Sequence, residues 1–302
     1  MVKVLVLMSS YNGQKFIKDQ IQSIMNQKNI DVDILIRDDG STDATREVLN
    51  KLKYKYPQNI KLIFGKNKGY KKSFMSLVYN CDDKYDFYAF SDQDDIWLNN
   101  KLYAAINYFE KNGISNNTPS LYYGMMTQVD EKLKVIPEQQ NFQAVPNKKM
   151  ILFQNFVQGS TIVFNQALLK AIQQYRIPCE VAHDVWLPIV ARYLGTVIGD
   201  KESYILYRRH KNAVTVKMRN NYWKNLMKSI FNGQYVTNFA KYLLAGYKQK
   251  LRIEDIEFLN KIKNYKKINN KVSLLLDKQV RKYSLKGTIL LKSSILFNRL
   301  DD

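Results

Sequence analysis

Residues 2–13 read VKVLVLMSSYNG and residues 31–43 read DVDILIRDDGSTD; in each, an apolar run ends in turn-forming residues. The runs Val2–Met8 and Val32–Ile36 have the composition of buried strands, and the polar residues after them are typical of loops. Between them, residues 16–25 place apolar side chains at the spacing of one helical face. The two stretches together predict a strand, a helix and a second strand.

The same alternation continues to about residue 90. A helical segment carries Val48, Leu49 and Leu52, and Thr42 or Asp43 can cap its N-terminus. Apolar runs at 60–64 and 87–90 predict a third and a fourth strand. Strand–helix alternation of this kind predicts a parallel α/β sheet, in which ligands bind at the carboxyl ends of the strands.

The pattern changes near residue 215. Beyond it the apolar residues fall at helical spacing, as in Trp223, Leu226, Met227 and Ile230. Residues 222–302 hold 14 lysines and 3 arginines against 6 acidic residues. We therefore predict two domains, residues 1–215 and a basic helical module at 216–302.

The composition indicates a folded protein with an anionic partner. The net charge of +20 favours nucleic acid, an anionic membrane surface or a phosphorylated substrate. No stretch reaches the roughly 18 consecutive apolar residues of a spanning helix, and the run after Lys3 is too short for a signal peptide. Cys81 and Cys179 predict buried thiols rather than a disulfide framework. We expect a cytoplasmic protein, peripheral at the inner face of the membrane.

The segment SDQDDIW at residues 91–97 is the most informative one for function. Three carboxylates in four positions repel one another unless a cation lies among them. Oxygen ligands of this kind suit Mg²⁺ or Mn²⁺, which are held by one or two carboxylates together with substrate phosphates. Because the segment follows an apolar strand, we favour a metal site over a solvated acidic turn.

Other motifs are weaker when taken alone. The DDGSTD run at 38–43 makes a good turn and helix start, and NKGYKK at 67–72 is a basic loop that could meet a pyrophosphate. The chain has two histidines, His183 in HDVW and His210 in YRRH. A histidine is a natural further metal ligand, and Asp184 beside His183 could act as a general base.

The motifs of residues 2–215 are, in chain order, Ser9 with YNG at 11–13, DDGSTD, NKG at 67–69, SDQDDIW, HDVW at 183–186 and YRRH at 207–210. In type and in order they resemble the motifs of family 2 glycosyltransferases. The SDQDDIW and YRRH forms are similar to those of the bacterial rhamnosyltransferase-type members. YRRH differs from the commoner YRQH form and keeps the histidine.

The resemblance implies a GT-A fold, that is, a Rossmann-like α/β fold whose mixed, mainly parallel sheet is flanked by helices. It implies that Tyr11 stacks on the donor base, that Asp38 or Asp39 hydrogen-bonds that base, and that Asp184 is the catalytic base. The implied nucleotide-sugar-binding set is Ser9, Tyr11, Asn12, Asp38, Asp39, Asn67, Lys71, Asp92, Gly159, Ser160 and Arg208. The implied metal ligands are Asp92, Asp94 and His210, and the implied acceptor region is Trp97, His183 and Trp186.

The function implied is metal-dependent, inverting transfer of one sugar onto a cell-surface polysaccharide such as a capsule. The donor expected is a nucleoside-diphosphate sugar, dTDP-rhamnose first and a UDP-hexose second. The acceptor expected is lipid-linked or an oligosaccharide. The basic module is expected to lie on an anionic membrane surface or to form a homodimer through its helices.

The composition and the α/β pattern are also compatible with three other classes of protein. A dinucleotide-binding oxidoreductase needs GxGxxG after the first strand, and SSYNG lacks it. A nucleic-acid-binding protein is suggested by the charge, but that charge lies mainly on amphipathic helices, a pattern that also fits anionic lipid. A non-catalytic scaffold is disfavoured because Asp92, Asp94, Asp184 and His210 are all present. We therefore expect an enzyme and no nucleic-acid partner.

Overall fold

The structure, a computed structural model, describes residues 1–137, 141–178, 180–210 and 236–300. The strands are β1 (Lys3–Ser10), β2 (Asp31–Asp38), β3 (Ile60–Phe64), β4 (Phe87–Ser91), β5 (Ile96–Trp97), β6 (Ser120–Val129), β7 (Val163–Asn165) and β8 (Thr196–Arg208). The helices are α1 (Ile17–Met25), α2 (Thr45–Lys55), α3 (Tyr70–Asn80), α4 (Lys101–Lys111), α5 (Gln166–Gln174), α6 (His183–Leu194), α7 (Val236–Tyr247), α8 (Ile253–Lys263), α9 (Ile268–Leu276) and α10 (Leu285–Leu296). Short 3-10 helices lie at Met150–Phe153, Gly159–Thr161 and Lys248–Lys250.

The strands form one sheet in the order β3-β2-β1-β4-β7-β6-β8-β5. Strands β3, β2, β1 and β4 are mutually parallel, and β6 is parallel to β8. Strand β7 runs antiparallel to both β4 and β6, and β5 runs antiparallel to β8. The predicted mixed, mainly parallel α/β sheet is confirmed.

Strand β1 shows why the alternation in the sequence produces this sheet. Val4, Val6 and Met8 are fully buried in one core cluster, which also contains residues of α1 and α2. Leu5 and Leu7 are buried as well, on the opposite face. A parallel strand covered by helices on both sides needs a continuous apolar run, which is what VKVLVLM supplies.

The four predicted strands and the first two predicted helices are all present, and their ends lie within two residues of the predicted ones. Helix α2 begins at Thr45 with Ala44 at its N-cap, so neither Thr42 nor Asp43 occupies the cap itself. Asp43 nevertheless accepts a hydrogen bond from the Thr45 N–H at 3.0 Å and closes the turn before the helix.

The chain divides into two compact units that do not follow chain order. The first comprises residues 1–144, 157–191 and 195–209, and it contains the sheet. The second comprises residues 145–156, 192–194 and 210–302. The predicted domain boundary between residues 215 and 216 lies outside the described residues, as does the predicted helix at 223–230.

The second unit is helical, with α7 to α10 as its described helices. Two ion pairs fasten the segment 145–156 within this unit. Lys148 pairs with Asp255 of α8 at 2.5 Å, and Lys149 pairs with Asp277, which follows α9, at 2.6 Å. Among the described helices, none is long and apolar enough to cross a bilayer.

Candidate active site

Three neighbouring parallel strands deliver their loops to one edge of the sheet. In the register of β1, Ser10 lies beside Asp38 at the end of β2, and Met8 lies beside Ser91 at the end of β4. The loops that follow β1, β2 and β4 are therefore neighbours at the carboxyl ends of their strands. This is the edge where ligands bind in open α/β sheets.

The turn from Asp92 to Asp95 joins β4 to β5 and is anchored at its far end by β8. Arg208 donates from its backbone N–H to Asp95 Oδ1 at 3.2 Å and from Nε to the Asp94 carbonyl at 2.9 Å. Arg208 also donates to the Glu131 carbonyl at 2.7 Å. Its guanidinium holds the acidic turn in shape, and its predicted contact with the donor stays a prediction.

The carboxylates predicted for the metal and for the base lie close together. Burial, followed by the negative charges of Asp94 and Asp184, raises the pKa of Asp92 to about 7. Asp184 lies in the first turn of α6, where the helix dipole favours an anion. The structure thus brings together carboxylates from the β4–β5 turn and from α6, which are about 90 residues apart in the chain.

Tyr70 belongs to the same cluster and was missed by the sequence analysis. Burial and the carboxylates of Asp184, Glu180 and Asp92, in that order of size, raise the pKa of its phenol. Tyr70 is the first residue of α3 and is 42% exposed. Its side chain is therefore accessible and lies within the field of the acidic groups. The only hint in the sequence was its place directly after Asn67-Lys68-Gly69.

Asp38 and Asp39 are both buried and both engaged by protein donors. Asp38 accepts hydrogen bonds from the Ser41 N–H and hydroxyl and from Arg46 Nε, the last at 2.6 Å. Asp39 accepts from Arg37 Nη1, from the Lys68 N–H at 3.0 Å and from the Gly69 N–H at 2.8 Å. The two carboxylates fix the loops after β2 and β3, and their predicted contact with a nucleotide base stays a prediction.

Gln93, between the acidic residues, ties the first loop to the acidic turn. It accepts from the Tyr11 N–H at 2.9 Å and donates to the Tyr11 carbonyl at 3.0 Å. A Cβ at Gly13 would lie 2.2 Å from Gln93 Oε1, so a side chain there would displace the Gln93 amide. The Tyr11 backbone is thereby fixed, and its side chain stays 47% exposed at the surface.

The remaining predicted donor residues lie around these loops. The Ser9 hydroxyl donates to Ser73 Oγ at 2.6 Å, and Asn12 donates from its N–H to Ser41 Oγ at 2.9 Å. Ser160 is buried, and its hydroxyl has no hydrogen-bond partner among the described residues. The predicted donor residues Asn67, which is exposed, and Lys71, which is half-buried, flank the start of α3.

His183 is buried between two aromatic rings. The ring centroids of Phe74 and Phe90 lie 4.1 and 4.2 Å from that of His183, and a Cβ at Gly159 would lie 2.6 Å from its Nε2. Burial lowers the pKa of His183 to about 3, so the imidazole is neutral at physiological pH. His183 is the first residue of α6, so its packing between the two rings fixes the start of that helix and the position of Asp184.

The side chains predicted for the acceptor region are all in the core. Trp97, His183 and Trp186 are 3%, 5% and 0% exposed. The three side chains belong to the core in this conformation, and their predicted part in the acceptor region stays a prediction. The buried Lys101 makes a cation–π contact with Trp97: its Nζ lies 3.6 Å from the ring centroid. Burial lowers the pKa of Lys101 to about 7, and Asp95 opposes that change.

The acidic turn fits a metal site in which the protein supplies some of the ligands and the substrate supplies the others. Within the described part of the chain, no group of three or more His, Cys, Asp or Glu side chains is arranged to hold a metal ion. Asp92 and Asp94 offer two carboxylates under mutual repulsion, which matches the one or two carboxylates by which proteins usually hold Mg²⁺ alongside phosphates. His210 belongs to the second unit, and its role as a ligand stays a prediction.

Comparison with known proteins identifies the family. The model of Glycosyl transferase family 2 matches residues 5–172, more than half of the chain. This chain belongs to that family. The dTDP-rhamnosyl transferase RfbG of Shigella flexneri is 31% identical over 218 residues, which cover 68% of this chain and 72% of the relative. The predicted membership, close to rhamnosyltransferases, is confirmed, and the protein is a glycosyltransferase.

Solved structures of GT-A glycosyltransferases share the fold. S. aureus TarS in complex with UDP-GlcNAc matches with a TM-score of 0.54 at 16% identity, over 99% of this chain and 93% of that one. The mannosyltransferase PcManGT from Pyrobaculum calidifontis, in complex with GDP-Man and Mn²⁺, matches with a TM-score of 0.51 at 12% identity, over 98% and 87%. The predicted GT-A fold is confirmed. The two neighbours hold different nucleotide sugars, so the fold alone does not decide the donor.

We predict that His183 of this family 2 enzyme does not titrate between pH 8 and pH 5. Its ring proton signals should stay constant in NMR spectra over that range, because its pKa in the folded protein is about 3. The unfolded chain takes up a proton near pH 6.5, so acidification below that value should favour unfolding, and less so in His183→Phe. The variants His183→Phe and His210→Phe assign the two sets of signals. A His183 midpoint near pH 6.5 would contradict the buried, neutral imidazole.

Proposed function

We propose that this enzyme transfers one sugar from a nucleoside-diphosphate donor to an acceptor hydroxyl by a single displacement that inverts the anomeric centre. The observation that supports the proposal is the meeting of Asp184 with Asp92 and Asp94 at the carboxyl edge of the sheet. Asp92 and Asp94 would stabilise the leaving group through a cation, and Asp184 would activate the nucleophile.

Asp92 and Asp94 would hold a divalent cation, Mg²⁺ or Mn²⁺. When bound, such a cation stabilises the negative charge that develops on the leaving diphosphate. Of the acidic residues in SDQDD, Asp95 is turned inward, with its Oδ1 accepting from the Arg208 N–H. Asp92 and Asp94 lie in the turn at the carboxyl edge of the sheet, and a cation bound between them would relieve their repulsion.

Asp184 would accept the proton of the attacking hydroxyl. A hydroxyl is a poor nucleophile at neutral pH, and a positioned carboxylate removes its proton as the new bond forms. The base is held in place because His183, the residue before it, is fixed between Phe74 and Phe90. One base together with one leaving-group stabiliser gives inversion, whereas retention by double displacement needs a second nucleophile.

The donor proposed first is dTDP-rhamnose, and a UDP-hexose is the alternative. The first choice is supported by the 31% identity to the dTDP-rhamnosyl transferase over two thirds of the chain. The exposed ring of Tyr11 is available for stacking on either base. The acceptor proposed is a growing cell-surface saccharide, either lipid-linked or an oligosaccharide.

The base assignment is tested with Asp184→Asn, a nearly isosteric change. Transfer from a panel of dTDP- and UDP-sugars with Mn²⁺ or Mg²⁺ should fall about 10²-fold or more, the usual scale for loss of a general base. Calorimetry should show nucleotide affinity retained, because the base acts on the acceptor. In Asp94→Asn, by contrast, both transfer and metal-dependent nucleotide binding should be lost. Equal loss of nucleotide affinity in Asp184→Asn would place that residue in the donor site, and transfer in EDTA would exclude the metal.

We also propose that the second unit attaches the enzyme to an anionic membrane surface through the hairpin of α9 and α10. The two helices run antiparallel, because Lys271 donates to the Leu296 carbonyl at 3.3 Å and Lys292 donates to the Leu274 carbonyl at 2.7 Å. Leu291 of α10 is buried on the inner side of the hairpin. The pair is therefore packed and of fixed register.

The outer side of this hairpin is also apolar. Its exposed side chains are Ile268, Val272, Leu276, Leu285, Ile289 and Leu296, between 45% and 77% exposed. Exposed lysines stand beside them, among them Lys267, Lys278 and Lys286. An apolar stripe bordered by cations matches the boundary between anionic headgroups and acyl chains, where each cation contributes about 1 kcal/mol.

Vesicle flotation of the full chain tests this surface. The variant Leu276→Ser/Leu285→Ser should weaken binding to anionic vesicles about 10-fold, and neutral vesicles or high salt should weaken binding of the wild type. The matched control is Ile253→Ser on α8, which is 77% exposed like Leu285 but lies outside the hairpin. Binding that ignores lipid charge and the double variant would contradict the proposal. A dimer that the double variant dissociates would show that a second copy covers the hairpin instead.

A further inference from the structure

A basic pocket lies between the outer face of α3 and the segment 176–181, beside the carboxylate cluster. Its volume is about 350 Å³. Lys68, Lys71, Lys72 and Arg176 line it together with a single carboxylate, Glu180. Four cations around one concave space favour an anionic ligand, because the concave wall concentrates their field.

The cations in the pocket are not neutralised by its own acidic residue. Glu180 pairs with Lys72 at 3.2 Å. Among the described residues that line the pocket, this is the ion pair that the structure shows. The pocket therefore keeps a net positive charge. Lys68, Lys72 and Arg176 are exposed and Lys71 is half-buried, so an anion can reach all four cations.

Arg176 is held in a position suited to such an anion. It donates from Nη2 to the Tyr79 carbonyl at 2.7 Å, and its guanidinium carbon lies 5.2 Å from the centroid of the Tyr79 ring. These contacts fix the plane of the guanidinium. A fixed guanidinium presents paired N–H donors with the geometry that phosphate oxygens accept.

The position of the pocket indicates which substrate it serves. Glu180 and Val181 line the pocket and lie just before α6, whose second residue is the proposed base Asp184. The carboxylates of Asp184 and Glu180 both raise the pKa of the Tyr70 phenol, which agrees with this placement. The lining includes Val181, three residues before Asp184, and none of the loop residues 9–13 or 38–43 on the donor side. If Asp184 is the base, an anion in this pocket would therefore lie on the side from which the acceptor hydroxyl approaches.

We propose that this pocket binds a diphosphate carried by the acceptor. The inference rests on the proposed function, since it takes Asp184 as the base that acts on the acceptor. It also moves Lys71 from the donor side to the acceptor side. A diphosphate could come from a prenyl-linked acceptor or from a nucleotide, and the two sources are separable in binding experiments.

Calorimetry of the full chain with inorganic pyrophosphate in EDTA tests the pocket. Without metal the acidic turn repels a diphosphate, so the binding that remains reports the basic pocket. Each of Arg176→Gln and Lys72→Gln should weaken this binding about 10-fold or more, as loss of a charge-assisted contact does. The matched control is Lys170→Gln on α5, an exposed cation that pairs with Asp83 at 3.7 Å and does not line the pocket. Its affinity for pyrophosphate should equal that of the wild type.

Competition distinguishes the sources of the diphosphate. Farnesyl diphosphate should displace pyrophosphate in EDTA, whereas dTDP and UDP should do so at least 10-fold less well. Displacement by dTDP or UDP as strong as that by farnesyl diphosphate would place the anion in the donor site and overturn the proposal. Equal weakening in Lys170→Gln would reduce the effect to general charge attraction and overturn it as well.

The two proposals fail in different ways. An enzyme that transfers sugar but shows none of this pyrophosphate binding would overturn the pocket alone. Binding with the expected pattern, in a chain that transfers from no nucleotide sugar, would overturn the proposed function and with it the assignment to an acceptor.

Discussion

Repulsion between carboxylates at one edge of the sheet is the constraint around which the rest of the site is arranged. Asp92, Asp94 and Asp184 lie close enough for their charges and their burial to hold a proton on Asp92 near neutral pH. In the unfolded chain Asp184 is about 90 residues from the acidic turn, so the folded chain holds these groups together at a cost. A cation and an acceptor proton are the two charges that would offset this cost.

The acidic groups are held in position by neighbouring residues that contact the backbone and side chains around them. Arg208 at the end of β8 fixes the carbonyl of Asp94, and Gln93 fixes the loop that carries Tyr11. On the other side, His183 is packed between aromatic rings directly before Asp184. Residues that look chemically active in the sequence thus serve to position their neighbours. A change in these neighbouring residues would therefore shift the acidic groups or the loop that carries Tyr11.

Much of the fold could be predicted from the sequence because each buried strand is a continuous apolar run that ends in turn residues. The runs at 2–8, 32–36, 60–64 and 87–90 all form strands. The antiparallel strands β5 and β7 are two and three residues long, too short to give a periodic signal. The membership of residues 145–156 in the second unit was not predictable, because it depends on ion pairs such as Lys148 with Asp255 across about 100 residues.

The site was predictable in its residues but not in their orientation. Spacing cannot show that Asp95 turns inward to β8 while Asp92 and Asp94 stay with the loops, or that Trp186 is fully buried. The resemblance implies that Arg208 binds the donor, and only the pairing of β5 with β8 shows that it also holds the acidic turn. Tyr70 carried no motif of its own. Its role depends on Asp184, which is more than 100 residues away in the chain.

The measurement that tests most directly whether these carboxylates hold a cation is a titration of Mn²⁺ by electron paramagnetic resonance, with dTDP or UDP present. The wild type should bind Mn²⁺ more tightly with nucleotide than without it, since phosphates complete the site. Asp92→Asn and Asp94→Asn should each weaken that binding about 10-fold or more, the scale for loss of one carboxylate contact. Asp82→Asn, a surface carboxylate paired with Lys61 at 3.4 Å, should leave it unchanged. Binding of Mn²⁺ with nucleotide that is equally tight in all four proteins would contradict a metal site at the acidic turn.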